Sequence, residues 1–178
     1  MKNKVDSDPI EPVLTLQGIP WIMRKVINMA SISMCVKQSV DDAGIETLVV
    51  EQFATGIKAE TEVRKLDWSV ITTESAVWGD ATHRSRRVNI KKSVEDDNGK
   101  PLDPYLTDGW VMMDNEKEDD DAWIFDVVEN KSRGWVIEQI WGFILVDGKK
   151  YHARKTLVRR GDEVAKARTR YEWKGETK

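Results

Sequence analysis

The dipeptide Asp147-Gly148 constrains this chain more than any other feature. It separates two long runs of strand-forming residues, WVIEQIWGFILV and KKYHARKTLVRR. A two-residue Asp-Gly connection closes a hairpin through a type I′ turn, whose twist matches that of the flanking strands. That turn pairs Val146 with Lys149, Leu145 with Lys150, Ile144 with Tyr151, Phe143 with His152, Trp141 with Arg154 and Gln139 with Thr156. A second turn at Gly161-Asp162 adds a third strand, setting Val158 against Ala165, Thr156 against Ala167, Arg154 against Thr169 and His152 against Tyr171. The segment from Gly134 to Trp173 is therefore expected to be three consecutive antiparallel strands.

One face of this unit carries Trp135, Ile137, Gln139, Trp141 and Phe143 beside His152, Arg154, Thr156 and Val158. Large aromatic residues stand opposite small ones, Ala165, Ala167 and Thr169, which is the pattern of a pocket wall with a few polar groups. The competing reading makes this the solvated face, and a bulge at either turn exchanges the two. The aromatic content favours the inward orientation.

With 178 residues the chain is long enough for one domain with a sizeable core. Its 28 basic and 31 acidic residues leave a net charge of -3 and imply no bulk attraction to nucleic acid. Nine basic residues between Lys149 and Arg170 fall on alternating sides of strands, so they need not form a patch. Cys35 is the only cysteine, which excludes an intrachain disulfide and fits a reducing, cytoplasmic setting. No apolar signal core stands at the N-terminus, and no run is long enough to insert in a membrane.

Along the chain, residues 1–12 read as a polar, flexible tail, 13–173 as the folded domain and 174–178 as a frayed end. Val13 to Leu16 reads as a short strand, and Pro20 opens a helix with Ile22, Val26 and Met29 in a stripe expected to rest on the sheet or close one end. Ser31–Gln38, IETLVVEQF and IKAETEVRKLDW read as successive strands, followed by others over Arg84–Val94 and Ala122–Val128. Glu62 and Arg64, neighbours on one side of their strand, form either a satisfied internal pair or a surface charge ladder; the ladder is favoured for Glu62, while Arg64 is ambiguous because its stem can cover Leu66 and Trp68 with its head in water. Asp114 to Asp121 reads as a solvated hairpin tip, without the ligand spacing of a calcium loop. Many short strands with tight turns and little helix predict an all-β, single antiparallel up-and-down barrel with a short N-terminal helix covering or capping it; a sandwich is the competitor. Because both faces of WVIEQIWGFILV are apolar, the outside is expected to be covered by that helix or by another subunit.

The stretches LTLQGIPW, TGIKAETEVRKLDW and RGWVIEQIWGFILVDGKKYHAR resemble the calycin or lipocalin-like barrels, in particular small intracellular proteins of fungal natural-product pathways. Lipocalins carry Gly-x-Trp in the first strand, where this chain has Gly18-Ile19-Pro20-Trp21, one residue longer and with a Pro before the Trp. The resemblance implies binding of apolar compounds, and in some barrels of this kind a cofactor-independent pericyclase such as a Diels-Alderase.

Three functions compete. The first is a cofactor-independent cyclase or isomerase acting on a hydrophobic natural product in a barrel pocket. Trp141, Phe143, Thr169, Tyr171, Trp173 and Arg64 would bind the substrate, and Arg154, Gln139 and His152 would hold or polarise a carbonyl or acidic enol. The second is a non-catalytic carrier of an apolar or amphipathic molecule with an oxygen-bearing group, and the third a structural or protein-interaction barrel, with a homodimer as its simplest form. No nucleophile elbow, phosphate loop, dinucleotide fingerprint or zinc-binding His motif is present, and with His83 and His152 the only histidines, neither a cofactor nor a metal is expected.

Overall fold

In the computed structural model, which describes residues 2–3 (backbone only), 7–92, 94–96, 98–113, 117–118 and 120–176, the chain forms two antiparallel sheets. It runs β1 (Lys2–Asn3), α1 (Glu11–Leu16), α2 (Trp21–Met29), β2 (Ile32–Val40), β3 (Glu46–Ala54), β4 (Ile57–Lys65), β5 (Ile71–Thr73), β6 (Ala81–Val88), α3 (Pro104–Thr107), β7 (Trp123–Asn130), β8 (Trp135–Val146), β9 (Lys149–Arg160) and β10 (Glu163–Tyr171). One sheet has the order β1-β10-β9-β8-β7-β6-β5, and the other is the meander β2-β3-β4. The reading of a mostly β, antiparallel chain holds.

The hairpin register follows the turn chemistry. Asp147 and Gly148 both take positive φ, 49° and 74°, as a type I′ turn requires. The anticipated pairs from Val146↔Lys149 to Gln139↔Thr156 all form. So do Val158↔Ala165, Thr156↔Ala167, Arg154↔Thr169 and His152↔Tyr171 on β10.

Two elements near the N-terminus differ from expectation. Val13 to Leu16 lies in a helix, not a strand, because Pro12 occupies its first turn and burial of Val13 and Leu14 rewards that conformation. Val13, with Leu16 beside it, packs with Trp135, Ile137, Val158, Ala165 and Ala167, so α1 closes one end of the inner surface of the large sheet. Each such aliphatic burial contributes about 1.5–3 kcal/mol. Helix α2 forms from Trp21 onward as expected, but its stripe does not rest on the sheet: Ile22, Val26 and Met29 are exposed.

The outer surface of β7, β8 and β9 is covered not by the early helices but by the described residues of the connection 89–113. Val94, Leu102 and Leu106 pack there on Trp123, Phe125, Ile140 and Leu157. Ile140, part of this cluster, and Ile144 are both buried. The cover is pinned by Asp103, which caps α3 and pairs with Lys166 at 2.9 Å. Lys155 reaches out from β9 to donate to the Asp108 carbonyl, with its Nζ 5.1 Å from the Trp110 ring. Gly142 permits this packing, since a Cβ there would sit 2.4 Å from Trp123 Cδ1. The acidic stretch expected as a hairpin tip lies partly outside the described residues, at 114–116 and 119.

Candidate active site

The cross-strand pairing sorts the inner surface of the large sheet into rows. Val128, Ile137, Val158 and Ala165 form an apolar row under α1. Above it runs a polar row, Ser85, Asp126, Gln139 and Thr156, and then Ile124, Trp141, Arg154 and Thr169. Phe143, His152 and Tyr171 form the rim. Alternation at period two puts all of these on one side, which is why one tight turn determines the composition of the whole surface.

The small sheet faces these rows. Leu48 and Val50 of β3 pack on Ile124 and Trp141, and Glu46 takes both Nε and Nη2 of Arg87 at 2.7 Å. His83 donates to the Val63 carbonyl at 2.9 Å, joining β6 to β4. Between the sheets lies a cleft of about 720 Å³. Its walls include Met34, Val36 and Gln38 from β2 on one side and Trp141, Phe143, His152, Tyr171 and Trp173 on the other.

His152 is the centre of the aromatic rim. Its ring lies 5.8 Å from Phe143 and 6.5 Å from Trp141, both edge-on, and 5.7 Å from Tyr171. Burial among these rings, reinforced by the Arg154 charge, pushes its pKa down to about 3. The imidazole is therefore neutral near pH 7, with one N–H to donate and one nitrogen to accept.

Arg154 and Trp141 share one side of the sheet, as expected, with the guanidinium carbon 3.5 Å from the indole centroid. Arg154 nevertheless lies behind the indole and outside the lining of the cleft. It is buried, and its Nε and Nη2 have no hydrogen-bond partner among the described residues. Gln139 is likewise set back: its carbonyl oxygen accepts from Trp141 Nε1 at 2.6 Å, and its amide donates to Thr156 Oγ1. Its place is to fix the indole plane. Thr169 stands beside Arg154, also outside the lining.

Of the two readings of Glu62 and Arg64, the internal pair is the one that forms, against the preference for a ladder at Glu62. Arg64 is buried with its head inside, bonded to Glu62 at 2.9 Å and 4.0 Å from the fully buried Asp126. Its guanidinium carbon is 5.8 Å from the Trp141 ring. Burial opposes the Glu62 carboxylate, but the charges of Arg64 and Arg154 outweigh it and hold the pKa below the usual range. Glu62 is thus part of an internal ion array and not of a surface ladder.

Two curated proteins align with nearly the whole chain. Pericyclase pydY of an Acremonium species is 31% identical over 170 residues, covering 94% of this chain and 85% of its own length. The chain belongs to the pericyclase family. A probable pericyclase, scpY of Mollisia scopiformis, is 29% identical over 170 residues, with 94% and 84% coverage. No protein-family model matches the chain, and no solved structure matches it significantly.

Within this pericyclase-family chain, Trp141, Phe143, His152, Tyr171 and Trp173 come together in the cleft, while Arg154, Gln139, Thr169 and Arg64 stand behind or beside it. The facing wall, Met34, Val36, Gln38 and Leu48, was missed by sequence reasoning. Alternation along SMCVKQS places Met34, Val36 and Gln38 on one face of β2, but nothing in the sequence says which strands face each other across a gap.

Proposed function

We propose that the chain is a pericyclase that folds an apolar, polyene-like natural-product intermediate carrying a carbonyl or enol oxygen within the cleft between the two sheets. The observation that carries this reading is the neutral imidazole of His152 set among three aromatic rings in an open cleft of about 720 Å³, in a chain of the pericyclase family. Such a cyclisation exchanges π bonds for σ bonds within one molecule, with no leaving group, no net proton transfer and no redox partner. The protein's work is then to hold the reacting termini together and to stabilise charge as it shifts toward the activating carbonyl. Trp141, Phe143, Tyr171 and Trp173 restrict the chain of the substrate, and the His152 N–H is the donor to its oxygen. Arg154, braced on the indole, is a positioning residue that keeps His152 neutral and Trp141 flat. We read the two sheets as the halves of a calycin-like barrel and the setting as cytoplasmic, the latter on the single cysteine.

The test is conversion of a polyene with a tethered diene and conjugated enone, followed by chromatography with mass detection. Faster or redirected cyclisation by the wild type, lost in His152→Phe, is expected. Retention of the probe with an unchanged product ratio would make the protein a carrier. For Arg154, the Arg154→Lys variant keeps the charge and Arg154→Ala removes it. The lysine form is expected to retain more turnover while both stay folded; equal loss of circular-dichroism signal and turnover in both would make Arg154 purely structural.

A further inference from the structure

Helix α2 is mounted with its more polar side inward. Arg24 and Asn28 turn toward α1, where both donate to the Glu11 carboxylate, Arg24 Nε at 2.8 Å. Arg24 Nη1 also donates to the Ile19 carbonyl at 2.8 Å. The opposite side carries Trp21, Ile22, Val26 and Met29, exposed by 62%, 67%, 55% and 81%. Surface helices ordinarily do the reverse, burying the apolar stripe and wetting the polar one.

With free side-chain areas on the order of 150–250 Å², these exposures leave roughly 500 Å² of contiguous apolar surface, at the upper end for a monomer. Two such faces brought together bury about 1,000 Å², the lower bound for a specific interface between proteins and the size of a weak, reversible one. The charges agree with self-association. Arg24 is neutralised by Glu11, so Lys25, over the Trp21 ring at 5.8 Å, is the one cation the helix presents outward. A single lysine opposes homotypic packing weakly, and it is far from the basic cluster with which an amphipathic helix holds an anionic bilayer. Through Ala30 and Ser31 the helix leads directly into β2, the outer strand of its sheet, which begins at Ile32.

We propose that the outward face of α2 is a homotypic interface, on which a second copy of this chain packs about a two-fold axis through Trp21, Ile22, Val26 and Met29. The face is self-complementary because it is apolar but for Lys25, and the charges of Arg24 and Glu11 beside it are already paired. β2 also supplies Met34, Val36 and Gln38 to the cleft. The interface therefore adjoins, through one strand, the wall of the site.

Sedimentation velocity of the full chain tests this. The wild type is expected to move as a dimer of twice the 20.4 kDa chain mass, dissociating in a range of about 1–10 µM, as suits an interface of this size. Ile22→Glu combined with Met29→Lys is expected to weaken dimerisation by at least about tenfold with an unchanged circular-dichroism spectrum, since neither side chain is part of a core. A wild type that stays monomeric at about 100 µM overturns the proposal. So does a dimer unaffected by the double variant while Trp21→Ala is also silent. A monomer that co-floats with vesicles of phosphatidylcholine and phosphatidylserine, and ceases to do so in the double variant, overturns it in favour of a membrane.

Discussion

At the scale of single residues, the proposed mechanism turns on His152. A histidine in water titrates near pH 6.5, but this one is driven down to about 3, first by burial and then by the Arg154 charge. It follows that turnover dependent on the neutral imidazole should be flat between about pH 4.5 and 8. An acidic limb near pH 6.5 that disappears in His152→Phe would show that the ring titrates normally. The same substitution keeps the aromatic packing and removes both nitrogens, so we expect kcat to fall roughly ten- to hundredfold, with Tm nearly unchanged. The sequence placed His152, Trp141 and Arg154 on one face through turn chemistry alone. It did not reveal that Arg154 stands behind the indole, because that depth depends on rotamers and on the strands opposite. Arg64 stayed ambiguous for a related reason: on β4 neither parity is cleanly apolar, and a buried arginine becomes visible only with its partners Glu62 and Asp126 in place.

At the scale of elements, β8 shows how a strand serves two cores at once. Trp141 faces the cleft, and the neighbouring Gly142 lets Trp123 and Trp110 close against the backbone on the other side. Gly142→Ala would force the Trp123 ring aside, and we expect a cost of about 1–3 kcal/mol in urea denaturation. A neutral result would mean that the ring relaxes freely. Gly148→Ala, at φ 74° in the hairpin turn, is expected to cost about 1 kcal/mol without a change of register. The hairpins were readable because two-residue turns fix register locally. Helix α1 was not, since VLTL reads as a strand and its helical state depends on burial of Val13 and Leu16 against distant residues. The cover over the outer surface was hidden for the same reason: Pro101, Leu102 and Pro104 resemble an ordinary loop until the sheet beneath them exists.

At the scale of the whole molecule, the joint between the sheets is a charged one. Removing Arg64 would leave the fully buried Asp126 without its cation and Glu62 with Arg154 alone, so Arg64→Ala is expected to cost about 3–5 kcal/mol. A change below about 1 kcal/mol in the denaturation free energy would show that water already compensates the carboxylates. Acid sensitivity should follow the histidines. Burial, with the Arg64 charge, lowers the pKa of His83 too, so below about pH 6.5 the unfolded chain binds protons that the folded one refuses. Stability should therefore be level above that pH and decline as it falls toward 3. The urea midpoint at pH 5 is expected below that at pH 7.5, with a smaller difference in the variant carrying both His83→Phe and His152→Phe; an unchanged difference would place the acid sensitivity elsewhere.

The two walls of the cleft come from different sheets, and this has a practical consequence for redesign. The aromatic wall is backed by the outer cover, so altering it disturbs much of the fold. The wall on β2 has half-buried Met34 and exposed Val36 and Gln38, with little behind them. Product selectivity should thus be tunable from that side, one residue at a time, by a laboratory that never touches the aromatic half.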